Sequence, residues 1–125
     1  MNLLLDTHIL LWWLDDHPGL SERERRAIGD GENSVWVSTA VIWEVRIKQA
    51  LGKLTLPSSF RTVLEEEPFL SLDVTSEHAH AVYELPMHHR DPFDRMLIAQ
   101  AQVERFTLVT HDPFFKKYDI DVMEV

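Results

Sequence analysis

The chain has 125 residues, of which 45% are hydrophobic and 26% charged, as is typical of one globular domain and not of a disordered protein. It contains no cysteine, which excludes disulfides, thiolate zinc sites and cysteine nucleophiles. Its net charge of −9 argues against a protein that coats nucleic acid through a broad basic surface, but it is compatible with a local site.

The first segment joins a buried strand to a carboxylate. Three leucines at 3–5 predict a strand that is buried on both faces, and Asp6 follows directly at its end. An ionised carboxylate in such a place is costly unless it finds a partner. We therefore expect Asp6 to lie against other polar groups or a cation.

Turn and capping residues divide the rest of the chain into helices and strands. Ser21 and Glu24 indicate a capping box, Gly52 suits the end of a helix, and Asp91 with Pro92 suits the start of another. Helices are predicted over residues 7–14, 21–28, 40–51, 57–67, 76–85 and 91–104. Strands are predicted over residues 3–5, 35–38, 69–72, 107–109 and 120–125, with a turn or short helix at 113–119.

This alternation of strands and helices is typical of a three-layer α/β/α fold with a mostly parallel central sheet. No linker or repeat interrupts it, so we expect residues 1–125 to form one domain. No secretory signal is visible, and no apolar run approaches the roughly 20 residues of a membrane span. We therefore expect a cytoplasmic protein with no membrane partner.

Four acidic residues are predicted to meet at one edge of the sheet. They are Asp6 after the first strand, Glu44 in the helix after the second, Asp94 in the first turn of a later helix, and Asp112 after the fourth strand. In open parallel sheets, ligands bind beyond the carboxyl ends of the strands. Carboxylates gathered there repel one another unless they share protons or bind cations.

The chemistry of such a cluster points to a hard cation. An all-oxygen ligand set favours Mg²⁺ or Mn²⁺, which keep bound waters and accept substrate phosphates. The reaction that suits this site is hydrolysis of a phosphodiester, in which the cation activates a water and stabilises the leaving oxygen. No covalent nucleophile is then needed.

Three of these acids also have a purely structural interpretation. Asp94 has the spacing of a capping-box partner for Asp91, and Asp112 precedes a proline, as is common at the start of a turn. Glu44 has the spacing of a helical ion pair with Lys48. The pattern leaves these interpretations open.

Histidine residues give weaker signals. His78 and His80 lie two apart on a predicted helix and point to different sides, which makes them poor joint ligands. The run of His88, His89 and Arg90 is more typical of a solvated loop than of a phosphate contact.

The tryptophans fall into two groups. Core packing is expected for Trp36 and Trp43. Trp12 and Trp13 are adjacent and cannot face the same core, so we expect one of them to reach a surface or an interface.

Five segments, spread over nearly the whole chain, match the sequence pattern of a known family in the same order. They are LLLDT at 3–7, STAVIWE at 38–44, GKL at 52–54, HRDPFDRMLIAQA at 89–101 and LVTHD at 108–112. Together they resemble the PIN domain and, more narrowly, the VapC-type toxins of bacterial toxin–antitoxin pairs. The segments at 38–44 and 91–101 are the specific ones, because an isolated LDT would carry little information.

The resemblance implies a Mg²⁺- or Mn²⁺-dependent endoribonuclease that hydrolyses RNA. The acidic ligands of the family map onto four residues of this chain: Asp6, Glu44, Asp94 and Asp112. Thr7, Ser38 and Thr110 fall at its small hydroxyl positions, where they would orient carboxylates or a metal-bound water. Asp6 and Asp94 are the first candidates for direct ligands.

The resemblance also implies a cognate antitoxin and a homodimer. The helix at 7–14, with Trp12 and Trp13, is the candidate docking surface. Arg46 departs from the family, which often has a smaller or apolar residue there, and Asp91 adds a fifth acid that we assign to capping.

Two other functions remain open on the residues alone. An aspartyl phosphotransfer domain would use Asp6 or Asp73, but the chain lacks an evident lysine at the end of the last strand and a D-x-D motif at Asp6. A non-catalytic acidic binding module would not need all four acids.

Overall fold

The computed structural model describes residues 1–123, which form five strands, six α-helices and one 3₁₀ helix. The strands are β1 (Asn2–Leu5), β2 (Ser34–Ser38), β3 (Leu70–Leu72), β4 (Thr107–Val109) and β5 (Asp121–Met123). The α-helices are α1 (Thr7–Leu14), α2 (Glu22–Gly29), α3 (Thr39–Ala50), α4 (Phe60–Glu66), α5 (Ser76–Glu84) and α6 (Pro92–Glu104). The 3₁₀ helix covers Pro113–Lys117. The predicted elements are therefore present, with small differences at their ends.

The strands form one sheet in the order β3-β2-β1-β4-β5, and every pairing within residues 1–123 is parallel. β1 lies at the centre, where Leu3, Leu4 and Leu5 are fully buried, as expected of a strand covered on both faces. The predicted α/β/α fold with a parallel central sheet is confirmed.

The order of the strands reverses beside β1. From β1 the chain continues to β2 and β3 on one side of the sheet, and it returns through α6 to β4 and β5 on the other. Such a reversal opens a crevice beyond the carboxyl ends of the two central strands. Asp6 follows β1 and Asp112 follows β4, so both residues lie at this crevice.

The capping box of α2 is present, with reciprocal hydrogen bonds between Ser21 and Glu24. Glu24 is nevertheless fully buried, and its carboxylate also contacts Nε2 of His111 at 2.8 Å. A helix with a mostly solvated surface thus contributes one buried acid beside the end of β4.

Trp43 contradicts its expected place in the core. Its side chain is 64% exposed and contacts Phe93 edge-on, whereas Trp36 packs against the core and stacks on Phe106. Trp43 lies outside the buried face of α3, which is formed by Ala40, Val41, Glu44 and Val45.

The last predicted strand corresponds to β5, and residues 124 and 125 of that prediction lie outside the described residues. Within residues 1–123, no helix combines the length and the apolar character needed to cross a bilayer.

Candidate functional site

Asp6 stands at the junction between β1 and α1. Its side chain is buried, and Oδ1 accepts a hydrogen bond from the backbone N–H of Ile9 at 2.9 Å, which caps α1. Oδ2 accepts a short hydrogen bond from the hydroxyl of Thr110. Burial raises the pKa of Asp6, and these two hydrogen bonds oppose the shift. Asp6 therefore has polar partners, as expected, and one of them is a hydroxyl group at the end of β4.

Glu44 lies in the second turn of α3 and is buried. Its Oε1 accepts a hydrogen bond from the hydroxyl of Thr7 at 2.6 Å, and its Oε2 contacts the ammonium of Lys48 at 2.7 Å. The bond to Glu44 is the main cause that raises the pKa of Lys48. The predicted ion pair is therefore present, and it involves only one of the two carboxylate oxygens.

Asp94 and Asp112 come together around His89. The Nε2 atom of His89 lies 2.9 Å from Oδ2 of Asp94 and 3.3 Å from Oδ2 of Asp112. One ligand atom from each of the three residues lies within 4.8 Å of the others. Among residues 1–123, no other group of acidic or histidine side chains is as compact.

The structural interpretations of the acids have different outcomes. Asp91 caps α6, since its Oδ1 accepts hydrogen bonds from the backbone N–H groups of Phe93 and Asp94. The carboxylate of Asp94 contacts His89 instead of completing a capping box. At the start of the turn, Oδ1 of Asp112 accepts a hydrogen bond from the backbone N–H group of Phe114, and its Oδ2 faces His89.

The electrostatics of Asp94 connect it to the other acids. Burial, followed by the negative charges of Asp91, Glu44 and Asp6, raises the pKa of Asp94 to about 7, while His89 acts in the opposite direction. Asp6 and Glu44 are therefore close enough to repel Asp94, although they lie outside the compact group around His89.

The four predicted acids thus form two pairs with unlike surroundings. Asp6 and Glu44, the inner pair, are buried, and each accepts a hydrogen bond from a threonine hydroxyl. Asp94 and Asp112, the outer pair, are partly exposed and share contact with His89.

The three predicted hydroxyl residues have different contacts. Thr7 donates to Glu44, and Thr110 donates to Asp6. Ser38 is buried and accepts a hydrogen bond from a backbone N–H in the first turn of α3 at 3.1 Å. Thr7 and Thr110 therefore hold carboxylates, whereas Ser38 caps the helix that carries Glu44.

A sequence model described as the PIN domain matches residues 3–121. The chain belongs to the PIN domain family. This match confirms the resemblance of the five segments to the PIN domain. No curated protein has a sequence that matches this PIN domain.

Several solved structures with a similar fold come from bacterial complexes. VapBC2 from Rickettsia felis, bound to a DNA fragment from its promoter, contains a chain that is 19% identical, with a TM-score of 0.74 and coverage of 99% of this chain and 98% of that one. DNA-bound VapBC from Salmonella typhimurium gives 18% identity, a TM-score of 0.74 and the same coverage. FitAcB from Neisseria gonorrhoeae gives 22% identity and a TM-score of 0.69, with coverage of 97% and 96%. At these identities the likeness establishes the fold.

The donor set of this PIN domain fits a hard divalent cation. Carboxylate oxygens are the ligands that Mg²⁺ and Mn²⁺ prefer. Burial is the main cause of the raised pKa of Asp94, and repulsion from the neighbouring acids adds to it despite the nearby His89. A cation bound among these oxygens would relieve that repulsion.

Arg46, which departs from the family pattern, stands on the surface of α3. Its side chain is exposed, contacts Gln49 at 2.8 Å and lies 5.1 Å from the centre of the Phe60 ring. The departure therefore affects the surface beside α4 and removes none of the acids.

His89 is the residue of the site that sequence reasoning missed. His88 is exposed, as expected for a solvated loop, whereas His89 turns inward between the outer acids. The one local signal is its position shortly before the start of α6, the helix that contains Asp94.

Proposed function

We propose that this PIN domain is a divalent-metal-dependent endoribonuclease and acts as the toxin of a toxin–antitoxin pair. The observation that carries the proposal is the crevice beyond β1 and β4, with its inner and outer pairs of acids and a pKa of about 7 for Asp94. A repulsive acidic crevice suits a cation that also binds phosphate. RNA is the substrate class that the family favours, and we expect the protein to act in the cytoplasm.

In this proposal the four acids would hold Mg²⁺ or Mn²⁺, and the bound cation would supply an activated water and stabilise the leaving oxygen. Thr110 holds Asp6 and Thr7 holds Glu44, so the inner carboxylates are oriented by the protein itself. The outer pair is more exposed than the inner pair, so RNA would approach the site from the side of the outer pair. No side chain has to act as a covalent nucleophile.

The test is cleavage of total cellular RNA by metal-depleted protein after addition of Mg²⁺ or Mn²⁺. We expect the wild type to cleave only with metal, and Asp6→Asn and Asp94→Asn to be inactive while folded by thermal melting. Asp73→Asn is the matched control, because Asp73 is exposed after β3 and serves only the phosphotransfer alternative.

Two outcomes would contradict the proposal. Cleavage by a folded Asp6→Asn protein would remove the site assignment. Transfer of radiolabel from a small phosphodonor to an aspartate, lost in Asp6→Asn or Asp73→Asn, would support the aspartyl phosphotransfer domain instead.

We also propose that an antitoxin segment docks in the groove between α1 and α4. The side chains that line this groove are mainly apolar and include Leu11, Trp12, Leu54, Leu56, Phe60 and Val63. Trp12 stacks on His17 at 4.7 Å in the groove wall, whereas Trp13 packs towards Phe69. Trp12→Ala should leave the protein folded but weaken capture of an antitoxin encoded by a neighbouring reading frame. Unfolding of Trp12→Ala would assign this residue to the core.

We propose that the interface of a homodimer includes the exposed Trp43. Trp43 and Phe93 line an apolar groove between α3, α5 and α6, together with Val74, Val82 and Met96. Exposed aromatic patches of this kind are typical of protein interfaces. In sedimentation, Trp43→Ser should shift the protein from dimer to monomer. A variant that stays dimeric would contradict this placement, and a monomeric wild type would contradict the homodimer.

A further inference from the structure

We propose that His89 contacts the substrate, its Nε2–H group donating a hydrogen bond to a phosphate oxygen of the RNA. This inference rests on the proposed function and adds a contact that the four acids cannot make, because carboxylates repel phosphate. The nitrogen atom brings a hydrogen-bond donor to the two outer carboxylates and lies within 4.8 Å of one oxygen from each of them.

The side chain of His89 is built into the crevice. Its Nε2 atom is within hydrogen-bonding distance of one oxygen from each outer acid, and only 17% of the side chain is exposed. The ring lies 5.7 and 5.9 Å from the ring centres of Phe114 and Phe115. These contacts distinguish it from a loop side chain in solvent.

The backbone beside His89 indicates which ring nitrogen carries the proton. The N–H group of Asp91 donates a hydrogen bond to Nδ1 of His89 at 3.3 Å. Because Nδ1 accepts, it carries no proton, and the proton of the imidazole lies on Nε2. A protonated Nε2 is a donor and cannot coordinate a cation through the same atom, so the geometry favours a donor over a metal ligand.

The main chain of His89 is fixed independently of the outer acids. The hydroxyl of Tyr118 accepts hydrogen bonds from the N–H groups of His88 and His89 at 3.1 and 2.7 Å. The guanidinium of Arg95 donates to the carbonyl oxygen of His89 at 3.2 Å and to three further carbonyls within residues 82–86. Tyr118 and Arg95 are both buried, so the loop keeps His89 in place when the contacts of the outer acids change.

Cation binding would free the donor of His89. In this structure, Nε2 of His89 lies against oxygens of Asp94 and Asp112. A cation competes for the same oxygens, and a donor left without an acceptor in a partly buried place is unfavourable. A phosphate oxygen of RNA would satisfy it, whereas the nearby ammonium of Lys48 already has Glu44 as its partner.

The test compares His89→Leu, which has no donor, with His89→Gln, whose side-chain amide restores one at a similar distance from the backbone. His88→Ala is the matched control, because His88 is the exposed neighbour in the same loop. Three quantities are measured: kcat/KM for RNA cleavage, binding of a mixed-sequence 2′-O-methyl RNA by fluorescence anisotropy, and Mn²⁺ affinity by electron paramagnetic resonance.

We expect His89→Leu to lower kcat/KM by about 10- to 100-fold, the usual effect of losing a hydrogen bond to a charged group. RNA binding should weaken, Mn²⁺ affinity should not fall, and His89→Gln should recover most of the loss. His88→Ala should behave as the wild type does.

Several results would overturn the inference. Unchanged cleavage and RNA binding by folded His89→Leu would make His89 only a counter-charge for the outer acids. A parallel fall in Mn²⁺ affinity would make it a ligand. A wild type that binds RNA without cleaving it would contradict the proposed function, while the binding comparison would still decide the role of His89. A wild type that neither binds nor cleaves RNA would contradict both.

Discussion

The inner and outer pairs illustrate two ways of holding carboxylates in one crevice. Each inner carboxylate is buried and bound by a threonine hydroxyl, Thr110 for Asp6 and Thr7 for Glu44. The outer carboxylates are more exposed and share one histidine from a loop. The inner carboxylates are thus oriented by hydroxyl groups of the protein, whereas the outer pair includes Asp94, whose pKa is raised by burial and by the charges of neighbouring acids. This contrast can be tested one group at a time.

The largest effect is expected at Asp6. Asp6→Asn should lower the rate of RNA cleavage by about three orders of magnitude, because losing a cation ligand removes several kcal/mol of transition-state stabilisation. Asparagine still caps α1, so metal-free Asp6→Asn should melt no lower than the wild type. Asp6→Ala should lose about 1 kcal/mol with the cap. Cleavage assays and thermal melting in EDTA measure both effects, and an Asn variant less stable than the Ala variant would contradict the capping role.

Thr7 tests the orientation of the inner pair. Thr7→Val keeps the shape of the side chain but removes the hydroxyl that donates to Glu44 at 2.6 Å. We expect Mn²⁺ affinity, measured by titration calorimetry, to fall about 10- to 100-fold, as for other residues that orient metal ligands. Thr7→Ser keeps the donor and should retain most of the affinity. Equal losses in both variants would indicate packing and not the hydrogen bond.

Asp6 and the two threonine hydroxyls could be predicted from the sequence because they are close to the ends of strands. Asp6 and Thr7 directly follow β1, Thr110 directly follows β4, and a parallel sheet brings these ends to one edge. Only the pairing of each acid with its hydroxyl required the structure.

The surroundings of the outer pair could not be predicted in the same way. The position of His89 depends on Tyr118, 29 residues later, and on a guanidinium buried under the loop. No local periodicity records such contacts. Trp43 was wrongly placed in the core for a related reason, because an apolar residue on a helix does not reveal which side the sheet covers.

The outer pair should make the stability of the metal-free protein depend on pH. Because the pKa of Asp94 is raised from 3.8 to about 7, the folded protein keeps a proton that the unfolded chain has released. The folded state therefore binds more protons in this window, and its free energy of unfolding should fall as pH rises from about 4 to about 7. One proton gives a slope of up to about 1.4 kcal/mol per pH unit.

Urea denaturation in EDTA across this pH range measures the slope. Asp94→Asn should remove the part of the slope that Asp94 causes, and Mn²⁺ should stabilise the wild type most at the upper end of the range. Identical slopes for the wild type and Asp94→Asn would assign the pH dependence to other groups.

The smallest effect is expected at Lys48, whose side chain is 44% exposed and whose ammonium contacts one oxygen of Glu44. Solvent at the lysine end screens this ion pair although Glu44 is buried, so Lys48→Met should change the free energy of unfolding by about 1 kcal/mol in urea titrations. Because Thr7 holds the other oxygen, Glu44 should stay oriented, and cation affinity should stay near the wild-type value. Glu44→Gln should lower that affinity, because it removes the charge itself. If Lys48→Met lost cation binding as fully as Glu44→Gln, the ion pair would be orienting Glu44, and the inner pair would be no better organised than the outer one.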